Sequence, residues 1–263
     1  PVTETSAEPA WVVSSFGFLY AVDDERVDAL DIDAVVSDGE QPSVTDGCTH
    51  EDFQAPDGTD GVDHQLLRLI QTFESLQAGG IADQIIDNSS RDGSMTILLT
   101  ADDQEMRIMV GHDAPLTGND GDVLPHSSFR PHADAAYHSS LGPTTSVGDG
   151  MVAGPADIRL RLNVQIVAAD LVLRDAYTRI SVDEDGTAHG IIQGFWHSEG
   201  IVEILASTGA HLLALGYTLE EFQGVLDAIA DEGPDEGGIC REISAAFDFT
   251  AEPAFLLSEE VTP

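Results

Sequence analysis

The residues that could do chemistry concentrate between 112 and 138. This segment reads HDAPLTGNDGDVLPHSSFRPHADAAYH and carries His112, His126, His132 and His138, four of the nine histidines. Imidazole nitrogens beside carboxylates are the donor set of a catalytic zinc, which takes three protein ligands and keeps one position for water. Such an ion lowers the pKa of its water and polarises an ester or phosphoester oxygen. In that reading His112, His126, His132 and His138 hold Zn2+ or another divalent transition metal. Asp113 or Asp134 is the base, and Arg130 steadies the oxyanion. The spacing sets a condition. Six residues of extended strand span about 20 Å, and Pro125 and Pro131 oppose a helix, so only a curled loop brings the last three histidines together. No HExxH is present, and the alternative is a mobile polar loop with exposed histidines.

The other histidines are weaker candidates. His189 and His197 flank an expected strand and are read first as structural. His211 lies in an apolar helical pattern, where a buried, hydrogen-bonded ring is the default. His50 and His64 belong to an acidic stretch and could join a metal with Asp52 or Asp63. No GxSxG elbow, GxGxxG or Walker loop occurs.

A second donor set is made of oxygen alone. Asp52, Asp57, Asp60 and Asp63 cluster with glycines in DFQAPDGTDGVDH. Oxygen clusters of this kind suit Ca2+, although the spacing is not that of an EF-hand. The competing reading is a solvated turn in which Asp60 caps a helix carrying Val62, Leu66, Leu69 and Phe73 and stopping near Gly79–Gly80. The acidic residues at 119–122 are a further calcium candidate.

Composition narrows the partners. The 263-residue chain has 48 acidic and 10 basic residues, a formal net charge of −38, and all ten bases are arginine. Phosphate backbones and anionic membranes are poor partners on charge, so neither nucleic-acid binding nor membrane insertion is expected. Cations and a small-molecule substrate are favoured. Adaptation to salt explains the same charge, since counterions screen the self-repulsion. No apolar run reaches the roughly 18 residues of a membrane span. The chain starts Pro-Val-Thr-Glu, which is expected of a processed protein, and export to the periplasm or cell surface fits the two cysteines. Cys48 and Cys240 sit in polar, glycine-containing loops and are expected to pair. Oligomeric state is not legible.

The elements that must position these groups read mainly as strands. Residues 1–10 form a polar leader, and a single domain is expected over 11–263, with the His/Asp-rich loop at 112–140. WVVSSFGFLYAV is apolar, and the alternation at Asp31, Ile32 and Asp33 suits a strand or a short helix. IADQIIDN suggests a short helix. MTILLTA and QEMRIMVGH form a hairpin turning at Asp102 and Asp103. Ile158, Leu160, Leu162, Val164 and Ile166 alternate with Arg159, Arg161, Asn163 and Gln165, a strand with one buried face. Strands over 171–182 and 187–196 follow, joined through Asp185-Gly186, and the strand arginines are expected to pair with acids. SEGIVEILASTGAHLLALG, capped by Ser198, and TLEEFQGVLDAIADEG, with a capping box from Thr218 to Glu221, are helices. ISAAFDFTAEPAFLL closes the chain as a strand with Phe247 and Phe249 on one face. The expected class is α+β: an antiparallel β-rich core, as a sandwich or open barrel, with packed helices.

CTHEDFQAPDGTDGVDHQLLRLI, RDGSMTILL, HDAPLTGNDGDVLP, the long segment from MVAGPADIRLRL to GTAHGIIQGF, and AEPAFLL together resemble a family of uncharacterised exported proteins and lipoproteins of myxobacteria and other bacteria. The resemblance implies export and a shared architecture and brings no activity with it. Relative to that family this chain departs at His64 and in its histidines after HDAPL. Two functions therefore stand as expectations: a metal-dependent ester or phosphoester hydrolase, and a non-catalytic, calcium-stabilised exported protein with a surface binding or structural role.

Overall fold

In a computed structural model the structure describes residues 9–23, 26–39, 48, 50–76, 95–119, 121–164, 167–208, 218–236 and 238–257. In chain order the elements are β1 (Ala10–Phe18), β2 (Phe53–Gln54), β3 (Asp60–Val62), α1 (Leu66–Leu76), β4 (Ile97–Ala101), β5 (Met106–Val110), β6 (Ser127–Phe129), a 3-10 turn (Ala135–Tyr137), β7 (His138–Gly142), β8 (Thr145–Val147), β9 (Gly150–Val164), β10 (Val167–Val182), β11 (Ala188–His197), α2 (Ser198–Thr208), α3 (Leu219–Ile229), β12 (Glu232–Pro234) and β13 (Cys240–Leu256). The expected helix at IADQIIDN, His211 and the 1–8 leader lie outside the described residues.

Nine strands form one antiparallel path, β7-β5-β4-β1-β13-β11-β10-β9-β8; β12 also pairs with β13, and β6 joins β13 in parallel. The path curls into a half-barrel, so that β7 and β9 approach without pairing. The expected β-rich open barrel is present. Among the described residues three helices of eleven residues each pack on the sheet as a partial cover, so the packed-helix part of the α+β expectation is met only in part.

Period-two patterning explains which side is covered. Phe247, Phe249 and Ala251 of β13 face the concave core with Trp11, Ile158, Leu160, Leu171, Leu173, Ile180, Ile192 and Trp196, and with Leu66, Leu69, Phe222 and Leu226 from the helices. Ala246 and Ala254, of opposite parity, lie in two separate apolar clusters. The alternation slips where a strand bulges. In β1 the register shifts between Val13 and Ser15, so that Trp11 and Val13 and then Phe16 reach the same core. In β10 it shifts between Arg174 and Tyr177, so that Leu173 and then Ala176 and Ile180 do so. An extra residue in one strand restores the face that simple alternation would lose.

Several local expectations are corrected by where hydrogen bonds are needed. Asp60 does not cap a helix; it opens β3, and α1 begins at Leu66. Ser198 gives its hydroxyl to Asp227, and the N–H of Glu199 is taken instead by Nδ1 of His197 at 3.3 Å. The stretch at Asp31–Asp33 is neither strand nor helix. The Thr218–Glu221 capping box is present, and the Asp183–Thr187 turn closes the β10–β11 hairpin with Gly186 at φ +91. Arg159 pairs with Asp170, Arg174 with Glu242 and Arg179 with Asp28. Cys48 and Cys240 form a disulfide across 192 residues.

The histidine-rich segment is better anchored than its polarity suggests. Val123 and Phe129 are buried against Val12, Leu98, Met109 and Ala254 on the convex face, and Leu257 N–H donates to Phe129 O at 2.8 Å. Phe129→Ala is expected to cost about 3–5 kcal/mol, the usual range for emptying a buried phenylalanine site. His126→Ala, at an exposed ring, should cost less than about 1 kcal/mol. Urea unfolding midpoints compare the two.

Candidate functional site

The sequence around Asp31 folds as it does because its apolar residues have somewhere to go. Val27, Ala29 and Ile32 are buried, and Asp31 and Asp33, on either side of Ile32, turn outward together. Gln193 of β11, fully buried, fastens this segment to the sheet. Its Nε2 donates to Leu30 O at 2.8 Å and to Asp63 O at 2.6 Å, and its Oε1 accepts from Leu30 N–H at 2.7 Å. Asp63, only 2% exposed, accepts the N–H of Ile32 on Oδ2 at 2.7 Å. Asp31 and Asp33 each commit Oδ1 to a backbone N–H, of Ala34 and Val35. Gly61 lets the two parts meet, for a Cβ there would lie 3.2 Å from Asp31 Oδ2, and its φ of +91 disfavours other residues.

The result is a group of three carboxylates, Asp31, Asp33 and Asp63, that each offer an oxygen within 4.8 Å of the others. Among the described residues it is the one group of three or more His, Cys, Asp or Glu side chains that converges in this way. It could hold a metal ion, and its donors are all oxygen. Of the aspartates singled out at 52–63, only Asp63 belongs to it. Asp57 closes a turn on Thr59 N–H, Asp60 accepts from Gln54, and Asp52 accepts Ser37 N–H at 2.5 Å. The pairing of residues 31 and 33 with 63 has no local signature in the sequence; only the outward parity of Asp31 and Asp33 hinted at it.

The 112–138 residues are placed otherwise. Arg130 holds Asp113 with two nitrogens, at 3.2 and 3.3 Å, and this contact keeps the Asp113 carboxyl below its ordinary range. His112 is fixed by its N–H to Arg130 O, and the His126 ring lies against Phe255. His132 Nδ1 accepts from Asp134 N–H, its ring meets Tyr137 edge-on at 4.8 Å, and His138 Nε2 donates to His132 O at 2.6 Å. Asp134 caps the 3-10 turn through Ala136 N–H. His64, away from this segment, is fully buried with both nitrogens committed: Nε2 donates to Leu19 O and Nδ1 accepts from Ala246 N–H. It has no lone pair left for a metal.

Electrostatics around Asp63 follow from burial without a described basic partner in contact. Desolvation first, then the nearby Asp33 charge, push its carboxyl up to about 9. Burial likewise raises half-buried Asp52 to about 6. Asp231 is only half-buried as a residue, but its carboxylate is enclosed beneath Ser244, whose N–H and hydroxyl both donate to it, and burial raises it to about 7. Burial lowers His64 to about 4.

Each raised carboxyl binds its proton more tightly folded than unfolded. Its contribution is therefore complete below the unfolded pKa and lost as pH rises through the folded one. His64 acts in the opposite sense and costs stability as pH falls from its unfolded value, about 6.5, towards 4. In chelator, the melting temperature is expected to decline from about pH 6.5 to 9, and Asp63→Asn should flatten the upper part of that decline. Calorimetric scans across this range check both.

No protein-family model, curated protein or solved structure matches this chain.

Proposed function

We propose that this is a calcium-stabilised exported protein whose Asp31, Asp33 and Asp63 carboxylates bind one Ca2+, with a structural role at that site. The observation that carries the reading is the convergence of three carboxylate oxygens within 4.8 Å, one of them from a buried residue. Carboxylate oxygens favour hard cations such as Ca2+ over zinc, which prefers nitrogen and sulfur, and Ca2+ tolerates an irregular shell. A bound cation also offsets the burial and, second to it, the Asp33 repulsion that otherwise keep Asp63 protonated. The Cys48–Cys240 disulfide is compatible with an oxidising, extracytoplasmic compartment, and no described helix is long and apolar enough to cross a membrane.

The role is structural at this site. The ion would tie the 31–33 segment to the residues entering α1, beside the Gln193 fastening, and so hold one edge of the convex face for whatever binds there. The hydrolase expectation with zinc at His112, His126, His132 and His138 lacks a converging third ligand among the described residues. Asp113 is paired with Arg130, which leaves a weakened base and an occupied arginine.

Titrating the metal-free protein with Ca2+ at pH 8 tests the proposal. A ligand at a hundredfold excess over its Kd adds about 2.7 kcal/mol, which for a domain of this size raises the melting temperature by roughly 5–10 °C. Asp33→Asn and Asp63→Asn should abolish the rise. Asp63→Asn should also melt in chelator no lower than the parent, because the amide replaces a carboxyl that is already neutral. Zinc-specific stabilisation that survives both variants would sink the proposal.

A further inference from the structure

Among the described residues the convex face of the sheet is covered at two places and open between them. Val27, Ala29, Phe53, Val62 and Leu67 lie over Ile191 and Ala246, while Val123 and Phe129 lie over Val12, Leu98 and Ala254. On the strip between, Ser15 of β1, Thr250 of β13, His189 of β11 and Ser181 of β10 stand in one cross-strand row. Within that row Thr250 Oγ1 lies 3.3 Å from His189 Nδ1, and His189 Nε2 lies 3.2 Å from Asp183 Oδ2.

A carboxylate accepts and cannot donate, so the proton of the neutral ring belongs on Nε2, facing Asp183. Nδ1 is then the acceptor for the Thr250 hydroxyl. Hydroxyl, imidazole and carboxylate thus stand in the order of a nucleophile, its base and the group that orients the base. The supports are rigid. His189 and Thr250 are direct partners on adjacent strands in the middle of the sheet, and the turn carrying Asp183 is closed by Gly186 N–H to Asp183 O and pinned by Trp11 Nε1 donating to Gly186 O at 2.9 Å. His189 and Asp183 are exposed to solvent and Thr250 is half-buried.

We propose that Thr250 is a nucleophile activated by His189, which accepts acyl groups from neutral or cationic esters. The Thr250 oxygen bonds to the acyl carbon as its proton passes to His189 Nδ1. The ester C–O bond then breaks, and the departing alkoxide takes that proton and leaves as an alcohol. Water repeats the sequence on the acyl-threonine, releasing the acid and restoring the hydroxyl. Ser15, facing Thr250 from β1, is the hydroxyl nearest in register for the developing oxyanion. Asp248 and Glu252, on the same face to either side of Thr250, disfavour anionic esters. Asp183 is a positioning residue. No metal takes part, so the inference is independent of the calcium reading.

The test uses the full chain with p-nitrophenyl acetate, followed by peptide mass mapping. The chain has no lysine to compete for the acetyl group. Acetyl on the peptide holding Thr250 is expected, retained in Thr250→Ser and lost in Thr250→Val. His189→Gln should slow acylation about 100-fold or more. Asp183→Asn should lower the rate at saturating ester while leaving the half-saturation concentration unchanged, with partial recovery in Asp183→Glu. Absence of acetyl on Thr250, or acylation at an undiminished rate in His189→Gln, overturns the proposal. If Thr250→Val fails to fold, the His189→Gln comparison, at a solvent-facing position, decides.

Discussion

The pairing of β13 on both of its sides is the interaction on which the rest depends. Its backbone bonds to β1 along one edge and to β11 along the other, and its ends take up β12 and β6. Phe247 stacks on Phe16 at 5.2 Å and also meets Phe18 and Trp196, so the same strand seeds the concave core. On its other face Ala246 and Ala254 admit the two convex covers, being small enough for loops to lie close over the sheet. The carboxylate group, the histidine segment and the open strip between them are all located by their distance along this one strand.

Charge sets the second constraint. With 48 acids and 10 arginines, most carboxylates must face water, and the arginines are spent where elements meet. Arg179 ties the segment before Asp31 to β10 through Asp28, Arg174 joins β10 to Glu242 of β13, and Arg241 joins β13 to Asp227 of α3. Exposed pairs of this kind contribute little each. Their value here is that they fix which acids are neutralised, and among the described residues none of them reaches Asp63. An enclosed carboxyl in that position is stable only with a proton or a cation, and the protein retains it beside two others.

Much of the sheet was legible because period two is a strong signal. The strand at Ile158 and Leu160, the Asp102 and Asp185-Gly186 turns, the Phe247–Phe249 face and the Thr218 cap are local patterns and were readable as such. What was not legible is what depends on distance in the chain. The bulges at Ser14 and Asp175 break alternation for a purpose visible only against neighbouring strands. The joining of Asp31 and Asp33 to Asp63 needs Gln193, far along the chain, to hold Leu30. Histidine density drew attention to 112–138, whereas the ring with a hydroxyl on one nitrogen and a carboxylate on the other is His189, isolated in sequence.

The place of β13 in the chain has a further consequence for how the molecule comes to exist. The strand at the centre of the sheet is contributed by residues 240–256, and it must pair with residues 10–18. Until β13 is present, β1, β4 and β5 on one side and β9, β10 and β11 on the other lack the strand that hydrogen-bonds to both. Contacts of such long separation form slowly, since the intervening chain must be ordered first. The sheet is completed only when β13 pairs, and the Cys48–Cys240 bond waits on the same stretch of chain. A polypeptide built in this way cannot close its sheet until residues about 240 positions apart have met.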